Sequence, residues 1–374
     1  MNGPRLNPKL LRVPLYVAGK CPEQVCQELG LSEVAKLCSN ENPLGPSPMA
    51  VAALRDALSQ AHFYPGIAES ELRRRLVTYH RNGLTEQHFI VGSGATDVLR
   101  MIAQAFIFDG GESIMDRVTF PLYALLTTMY GGDAVKVDPR SDYRSDLSAM
   151  ADAVTPETRI VWLCSPNNPT GLTLSQAEVD EFIEWLPEHV IVVFDEAYHD
   201  YVTDPSYVDS LQYVRQGHNT IVVRSFSKIS GLANLRVGYG VAHPDLTEYL
   251  MHTVLPFNTG ALAIVAATAS LDDHAFQQRS RALVQRERAF LYASLSEMGL
   301  TCLPSQANFL LVLDPPLDAS VLVDALLQNG IIVRPMGGFG LPNAFRVTVG
   351  LRKQNERFLA AVRMTMAEAV AVPV

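Results

Sequence analysis

The stretch IVWLCSPNNPTG, residues 160–171, decides the fold of this chain. Its first five residues are apolar, which is typical of a strand that is buried on both faces of a parallel sheet. The next seven are residues of turns and polar loops. An open α/β sheet binds its ligands where such strands end, at the carboxyl edge. The stretch therefore predicts a parallel sheet with a ligand site beside residues 165–171.

The same pattern occurs twice more along the chain. Residues 190–194, VIVVF, lead directly into DEAY at 195–198, and residues 221–223, IVV, lead into RSFSK at 224–228. Strand patterns alternate with helix patterns throughout this region, and they lie near residues 88–92, 112–115, 133–137, 159–164, 190–194, 221–224 and 237–242. The alternation implies βαβ units, and therefore an α/β fold with a mostly parallel seven-stranded sheet that is flanked by helices.

The C-terminal part of the chain has a different pattern. A long, charged, amphipathic helix is predicted at about residues 273–299, where it would link the large sheet to a smaller unit. Beyond it, the pattern predicts strands near 308–313, 331–334 and 345–349 and helices near 317–328 and 352–370. This mixture predicts a smaller α+β domain.

Composition argues against several classes of partner. The formal net charge of −9 over 374 residues disfavours nucleic acid and anionic membranes, since both attract basic surfaces. No stretch approaches the roughly 20 apolar residues of a membrane span, and residues 1–9 lack the apolar core of a signal peptide. The five cysteines form no Cys-x-x-Cys pair and no zinc-type cluster with histidine. We therefore expect reduced thiols in a cytoplasmic protein that binds no metal and acts on a small metabolite.

Lys228 is the residue around which the chemistry is predicted. A primary amine is the side chain that bonds an aldehyde as an imine and, once released, moves protons at a substrate carbon. Hydroxyls at Ser225 and Ser227 precede it, and Arg236 follows eight residues later, as a phosphate site requires. This context fits the cofactor pyridoxal phosphate. The short motif alone is also common in polar loops after strands, so it is the other strand-end motifs that favour an enzyme.

Together, the order and spacing of these motifs resemble the class I/II aminotransferases, which are pyridoxal phosphate enzymes of fold type I. The similarity extends from about Tyr16 to Gly350. Within that family, YVAGK at 16–20, LCSNENPLGPSP at 37–48 and VRPMGGFGLPNAFR at 333–346 look like the histidinol-phosphate aminotransferase branch. The resemblance implies amino transfer from histidinol phosphate to 2-oxoglutarate, as in histidine biosynthesis, by a ping-pong reaction through pyridoxamine phosphate. It also implies a homodimer with shared active sites.

The same resemblance divides the chain into domains. Residues 1–45 would pack with the small domain, residues 46–290 would form the large cofactor-binding domain, and residues 291–374 would form the small C-terminal domain. The boundary near residue 290 would then fall inside the long helix that the amphipathic pattern predicts.

The resemblance assigns the catalytic roles to Lys228, Asp195 and Tyr198. Lys228 would bond the cofactor aldehyde, and Asp195 would pair with the ring nitrogen, since a charge-assisted hydrogen bond keeps that nitrogen protonated. Asn168 and Tyr198 would donate to the phenolic oxygen. Pro169 would help to aim Asn168, because a residue before proline is pushed out of helical geometry.

The cofactor phosphate would lie at the start of a helix, where backbone amides favour an anion. The residues assigned to it are Gly94, Ala95, Thr96, Ser225, Ser227 and Arg236. Tyr123 would stack on the cofactor ring, and Tyr64 would reach the cofactor phosphate of the neighbouring subunit. The chain has SGATD at 93–97 where the family commonly has NGSDE. Backbone contacts should survive this change, whereas the departure leaves open whether Asp97 has the acidic role of the family.

Substrate binding is assigned to Arg346, Arg334, Tyr16 and Asn168. Arg346 matches the arginine that binds a substrate carboxylate, and Arg334 resembles a second anion-binding arginine of the histidinol-phosphate branch. A planar guanidinium forks onto carboxylate and phosphate alike. Tyr16 resembles an aromatic that closes over the substrate, although Ala18 replaces the usual proline of its segment.

Three alternatives stay open at this point. An aromatic amino acid aminotransferase would use the same site, with the substrate carboxylate at Arg346 and the ring in place of imidazole. A pyridoxal phosphate-dependent decarboxylase acting on threonine phosphate shares much of the scaffold. A regulator that only binds the cofactor would carry a DNA-binding module, and we expect none, because little sequence precedes Tyr16.

Overall fold

The computed structural model describes residues 21–371 apart from residues 67, 82 and 109, together with residues 11 and 13. The strands are β1 (Ala35–Lys36), β2 (Phe89–Gly92), β3 (Glu112–Asp116), β4 (Asp133–Val137), β5 (Thr158–Cys164), β6 (Ile191–Asp195), β7 (Thr220–Ser225), β8 (Gly238–Ala242), β9 (Thr301–Cys302), β10 (Phe309–Leu313), β11 (Ile331–Ile332), β12 (Arg334–Pro335) and β13 (Ala344–Thr348). The α-helices are α1 (Pro22–Leu29), α2 (Pro48–Ala57), α3 (Ala68–His80), α4 (Ala95–Phe106), α5 (Leu122–Met129), α6 (Leu147–Asp152), α7 (Gln176–Trp185), α8 (Ser210–Arg215), α9 (Pro244–Met251), α10 (Ala261–Leu271), α11 (His274–Glu297), α12 (Ala319–Gln328) and α13 (Arg352–Ala371).

The largest sheet has seven strands in the order β2-β8-β7-β6-β5-β3-β4. The strands from β7 to β4 in this order are parallel neighbours, whereas β8 runs antiparallel to both β2 and β7. The predicted α/β fold with a mostly parallel seven-stranded sheet is confirmed. Because β8 is reversed, its amino end lies beside the carboxyl ends of β2 and β7.

Buried apolar side chains cover both faces of this sheet. Successive residues of a strand point to opposite faces, and in β5 Val161 and Leu163 join one apolar cluster while Ile160 and Trp162 join another. Residues of α3 and α10 belong to the first cluster, and residues of α4 and α5 to the second. Strands that are covered on both faces in this way appear in the sequence as uninterrupted apolar runs.

Several helices start where the sequence supplies a side-chain cap. Ser175 and Glu178 form a capping box at the start of α7, in which each side chain accepts from the other residue's N–H. Asp273 caps α11 by accepting from the N–H of Phe276 at 3.2 Å. The long helix predicted near 273–299 is confirmed as α11, within the usual error at helix ends.

A second, antiparallel sheet has the order β12-β13-β10-β9, and β1 pairs in parallel with β11. The single strand predicted near 331–334 is therefore two short strands. β11 joins β1, whereas β12 joins β13 and carries Arg334 into the other sheet.

A third apolar cluster lies in this part of the molecule. It contains Ala35 and Leu37 from the N-terminal segment together with Leu310 and Phe345 from β10 and β13. This shared core supports the grouping of the N-terminal segment with the C-terminal one. The division at residues 45 and 290 stays a prediction, and α11 crosses the second boundary without interruption. None of the helices in the described part of the chain has both the length and the apolar character needed to cross a lipid bilayer.

Candidate active site

The polar strand-end motifs meet at one edge of the seven-stranded sheet. The carboxyl ends of β2, β5, β6 and β7 lie at this edge, since these strands run in one direction, and the reversed β8 adds its amino end. Asn168 follows β5, Asp195 ends β6, Lys228 follows β7, and Arg236 precedes β8. Residues that are far apart in the sequence are thereby brought to one place.

Lys228 is partly exposed at this edge. Its Nζ donates to the carbonyl oxygen of Ser39 at 3.3 Å and lies 5.5 Å from the centre of the Tyr198 ring. Burial, reinforced by the positive charges of Arg346 and Arg236, lowers the pKa of the Lys228 amine to about 8. A sizeable fraction of the amine is therefore neutral near pH 8, as a nucleophile or a base requires.

Asp195 presents a buried carboxylate. Its Oδ2 accepts from the hydroxyl of Tyr123 at 2.8 Å, and its Oδ1 accepts from the N–H of Ala197 at 3.2 Å. Burial raises the pKa of the Asp195 carboxyl above its ordinary value, and these hydrogen bonds oppose the rise. A carboxylate that is buried but hydrogen-bonded in this way is suited to a cationic partner.

The structure contradicts the predicted role of Tyr123. Its side chain is completely buried, and its ring stacks on Trp162 with centroids 5.2 Å apart. A ring without exposed surface cannot cover a ligand, so the prediction that Tyr123 stacks on the cofactor is wrong. Its hydroxyl instead donates a hydrogen bond to the Asp195 carboxylate. Phe120, edge-on to Tyr123 at 5.8 Å and only half-buried, is an accessible aromatic side chain of the same segment.

Tyr198 and Asn168 are both buried. Burial raises the pKa of Tyr198 to about 12, so its hydroxyl keeps its hydrogen at neutral pH. Arg346 donates through Nη1 to Oδ1 of Asn168, which leaves Nδ2 of this amide as its donor end. The two residues that were predicted to donate to one oxygen atom therefore both have a hydrogen to offer.

Gly94, Thr96 and Arg236 form a cradle at the start of α4. Gly94 has φ +88°, a conformation that strains any residue with a side chain, and a Cβ on it would lie 2.4 Å from Nη2 of Arg236 and displace that guanidinium. Nη2 of Arg236 donates to Oγ1 of Thr96 at 3.2 Å. The N-cap residue of α4, Gly94, makes no side-chain cap bond, and within the described residues the N–H groups of Ala95 and Thr96 are left available to an anion.

The neighbours of this cradle have structural roles of their own. Asp97 accepts hydrogen bonds from the N–H of Ser93 at 2.9 Å, from Asn258 at 2.6 Å and from Arg100 at 2.8 Å. Its carboxylate is thus occupied in holding the turn before α4.

Ser225 and Ser227 lie at the carboxyl end of β7, in the loop that leads to Lys228. The N–H of Ser227 donates to Oγ of Ser225 at 3.0 Å. This bond fixes the turn between the two hydroxyls that were assigned to the phosphate.

Arg334 and Arg346 lie directly opposite each other on the antiparallel strands β12 and β13. Such partners project from the same face of a sheet with Cβ atoms about 4.5–5.5 Å apart, and like charges in this position repel. Arg346 is anchored by donating to the carbonyl oxygen of Cys38 at 3.0 Å, and its guanidinium lies 5.1 Å from the centre of the Phe309 ring. An anion bound between the two guanidinium groups would relieve their repulsion.

Tyr64 lies on the surface. It is 74% exposed and stacks on Phe257, which is 60% exposed, with ring centroids 4.1 Å apart. It is therefore accessible to a second chain. Tyr16 and Ala18 fall outside the described residues, so the role of Tyr16 stays a prediction.

Sequence reasoning assigned no site role to two asparagines of the SNENP motif at 39–43. Nδ2 of Asn42 donates to the carbonyl oxygens of Lys228 at 3.1 Å and Ile229 at 3.0 Å, which holds the lysine loop. Nδ2 of Asn40 donates to the Tyr198 hydroxyl at 3.0 Å. The sequence signal that could have revealed their roles was the SNENP motif itself, but it was used only to indicate a branch of the family.

Comparison with known proteins accounts for this geometry. Residues 32–362 match the model of the family described as aminotransferase class I and II. The chain belongs to this family. The predicted enzyme class, a pyridoxal phosphate-dependent aminotransferase, is thereby confirmed.

Relatives within the family cover almost the whole chain. The chain is 44% identical over 365 residues to the histidinol-phosphate aminotransferase of Moorella thermoacetica, an alignment that covers 97% of this chain and 94% of the relative. It is 40% identical over 359 residues to that of Anaeromyxobacter sp., covering 96% and 98%. The crystal structure of histidinol-phosphate aminotransferase from Sinorhizobium meliloti in complex with pyridoxal-5'-phosphate matches with a TM-score of 0.88 and 26% identity, over 98% of both chains. The predicted resemblance to this branch is confirmed.

Proposed function

We propose that this chain transfers the amino group of histidinol phosphate to 2-oxoglutarate with pyridoxal phosphate as cofactor. The observation that carries this proposal is that Arg334 and Arg346 lie directly opposite each other on neighbouring strands. They belong to the same site as Lys228, because, in addition to burial, the positive charges of Arg346 and Arg236 lower the pKa of the Lys228 amine. The names of the aligned relatives support the same substrate.

The residues of the site fit the cofactor. Arg236, the Thr96 hydroxyl and the first amides of α4 suit a phosphate, and the cradle has room for it because Gly94 carries no Cβ. Asp195 suits a protonated ring nitrogen, while Tyr198 and Asn168 suit a phenolic oxygen. When bound, the cofactor supplies an electron-withdrawing ring that stabilises negative charge on the substrate carbon.

Lys228 has the properties of both the anchor and the proton carrier. With a pKa of about 8 its amine is partly neutral at the pH of a cell, so it can bond the cofactor aldehyde. The same amine, when free, would take up and pass on the proton that leaves the substrate carbon. The Asn42 side chain holds its loop in place for this step.

The two arginines explain how one pocket can serve both half-reactions. Histidinol phosphate has a phosphate and no carboxylate on its reacting carbon, whereas 2-oxoglutarate has two carboxylates. Arg334 and Arg346 can fork onto either kind of anion. The half-buried ring of Phe339, centred 5.9 Å from the Arg346 guanidinium, borders the pocket with apolar surface. The ring of Phe309 is fully buried and packs against the same guanidinium at 5.1 Å.

A comparison of amino donors tests this proposal. The purified protein is assayed with 2-oxoglutarate and, in turn, histidinol phosphate, phenylalanine, tyrosine and threonine phosphate. We expect the highest kcat/KM with histidinol phosphate. A higher value with phenylalanine or tyrosine would establish an aromatic amino acid aminotransferase instead, and release of carbon dioxide from threonine phosphate without any oxo acid would establish a decarboxylase.

We also propose a homodimer in which Tyr64 of one chain serves the cofactor phosphate of the other. The exposed Tyr64–Phe257 stack, flanked in the sequence by Phe63 at 63% and Leu255 at 62% exposure, is an apolar surface of the kind that marks interfaces. Mixing Tyr64→Ala chains with Lys228→Ala chains should restore activity, because a hybrid dimer contains one undamaged site. A fully active monomer in sedimentation would contradict the shared site.

The domain division and a cytoplasmic location complete the proposal. Limited proteolysis should cut near residue 45 before it cuts within α11, if the predicted domains move as units. The five cysteines are unpaired in the structure, as suits a reducing compartment. Cell fractionation that placed the protein outside the cytoplasm would overturn this location.

A further inference from the structure

Asn40 connects the smaller sheet to Tyr198, the tyrosine proposed to donate to the phenolic oxygen of the cofactor. It is 1% exposed, and its φ of +55° lies in the left-handed region that asparagine tolerates. Its N–H donates to Oγ1 of Thr348 at 2.9 Å, and its carbonyl oxygen accepts from Asn308 at 3.0 Å. These bonds fix its backbone to β13 and to the residue before β10, while its side chain reaches Tyr198 beyond the end of β6.

The hydrogen bonds decide which end of the Asn40 amide faces Tyr198. Oγ1 of Thr348 already accepts from the Asn40 N–H, and its own hydrogen goes to Oδ1 of Asn40 at 3.1 Å. With the amide reversed, the Thr348 hydroxyl would accept twice and its buried hydrogen would lose this acceptor. Nδ2 is therefore the atom that lies 3.0 Å from the Tyr198 oxygen.

This orientation constrains the Tyr198 hydroxyl. Because Asn40 donates to the phenol oxygen, the hydrogen of Tyr198 cannot point back at Asn40 and has to be directed elsewhere. A hydroxyl that accepts a hydrogen bond also becomes a stronger donor, since successive hydrogen bonds polarise one another.

Building on the proposed function, we propose that Asn40 is a positioning residue that commits the Tyr198 hydroxyl to donate to the phenolic oxygen of the cofactor. The hydrogen bonds from Thr348 to Asn40 and from Asn40 to Tyr198 form a relay, and Thr348 sets its direction by donating to the oxygen of the Asn40 amide. Since Thr348 and Asn308 belong to the smaller sheet and its flanking loop, the relay makes the donor strength of Tyr198 depend on how that part of the molecule is placed.

The test uses the full-length, cofactor-loaded protein without substrate. The visible absorbance of the cofactor is titrated against pH, and its midpoint is compared among wild type and the variants Asn40→Gly, Asn40→Asp, Thr348→Val and Tyr198→Phe. A donor to the phenolic oxygen stabilises its negative charge and thus the deprotonated form, so losing the donor raises the midpoint. We expect a rise of roughly one pH unit for Tyr198→Phe and about half a unit for Asn40→Gly.

Each Asn40 variant separates the relay from a merely structural role. Glycine accepts a positive φ without strain, so Asn40→Gly removes the side chain and spares the backbone. Asn40→Asp keeps the shape but replaces the donor with an acceptor that takes up the Tyr198 hydrogen, so its midpoint should rise at least as far as that of Asn40→Gly. Thr348→Val should cause a smaller rise in the same direction. Circular dichroism checks that each variant is folded.

The decisive comparison repeats Asn40→Gly in the Tyr198→Phe background. If Asn40 acts through Tyr198, its substitution leaves the midpoint of the Tyr198→Phe protein unchanged. An equal shift in both backgrounds, or no shift in either, would overturn the inference while leaving the proposed function intact. A wild-type protein that shows no cofactor absorbance would overturn the proposed function as well.

Discussion

The proposed cofactor side and the proposed substrate side of the site are built in different ways. On the cofactor side, Asn168, Asp195 and Lys228 each follow or end a strand of one continuous parallel sheet, so short sequence motifs place them. On the substrate side, Arg334 and Arg346 come from another sheet, and their opposition depends on strand register. The contrast indicates that cofactor-side substitutions should affect all amino donors alike, whereas substrate-side substitutions should affect donors unequally.

Replacement of Lys228 should have the largest effect and should not discriminate among donors. Lys228→Ala removes both the group that bonds the aldehyde and the proton carrier, so we expect turnover to fall by at least about 10³-fold with every donor. Borohydride reduction followed by peptide mapping should label Lys228 in the wild type. A label on another lysine would show that the anchor is misassigned.

Asp195→Asn should have the next largest effect and should again be uniform among donors. An amide cannot stabilise a ring cation as a carboxylate does, and losing about 2.7 kcal/mol of charge-assisted interaction slows the reaction roughly a hundredfold. Single-turnover kinetics measure this directly. Tyr123→Phe is the matched control, because it removes one hydrogen bond to Asp195 and keeps the charge, so its effect should be several times smaller. Near-normal turnover in Asp195→Asn would contradict the role.

Arg334→Ala should separate the two sides of the site. Losing one charged contact to a phosphate costs about 1.5–3 kcal/mol, so kcat/KM for histidinol phosphate should fall at least about tenfold, with a smaller loss for phenylalanine. Arg334→Lys keeps the charge but not the fork and should be intermediate. Equal losses of kcat/KM for both donors would contradict this role, because substitutions on the substrate side would then discriminate among donors no better than those on the cofactor side.

The smallest effect concerns the stability of the cofactor-free protein. The pKa of Lys228 falls from 10.5 to about 8 on folding, so between these values the unfolded chain binds more protons than the folded one. Stability therefore gains from this group as pH rises through that window, and the protonated amine opposes folding below it. Urea unfolding should show Lys228→Met to be more stable than wild type at pH 7, with the difference shrinking toward pH 10. A difference that did not change with pH would contradict the lowered pKa.

Sequence reasoning was least reliable where the role of a residue depends on which face of a helix it occupies or on contacts with a segment that is distant in the sequence. Tyr123 was assigned to the cofactor ring because it matches the stacking aromatic of the family, but on α5 its ring stacks on Trp162 of the sheet. Asn40 received no role, since its partners Tyr198, Thr348 and Asn308 lie more than 150 residues away. The single strand predicted near 331–334 proved to be two, because its halves pair with different neighbours.

The sequence by itself determined the mostly parallel sheet and the family, and it predicted the candidate cofactor residues that lie at strand ends. It could do so because an apolar run followed by a polar loop is a local pattern, and a parallel sheet brings all such loops to one edge. The tertiary structure alone decided the orientation of the Asn40 amide, the burial of Tyr123 and the opposition of Arg334 and Arg346. Each of these depends on contacts between segments that are distant in the sequence, and no local spacing encodes such contacts.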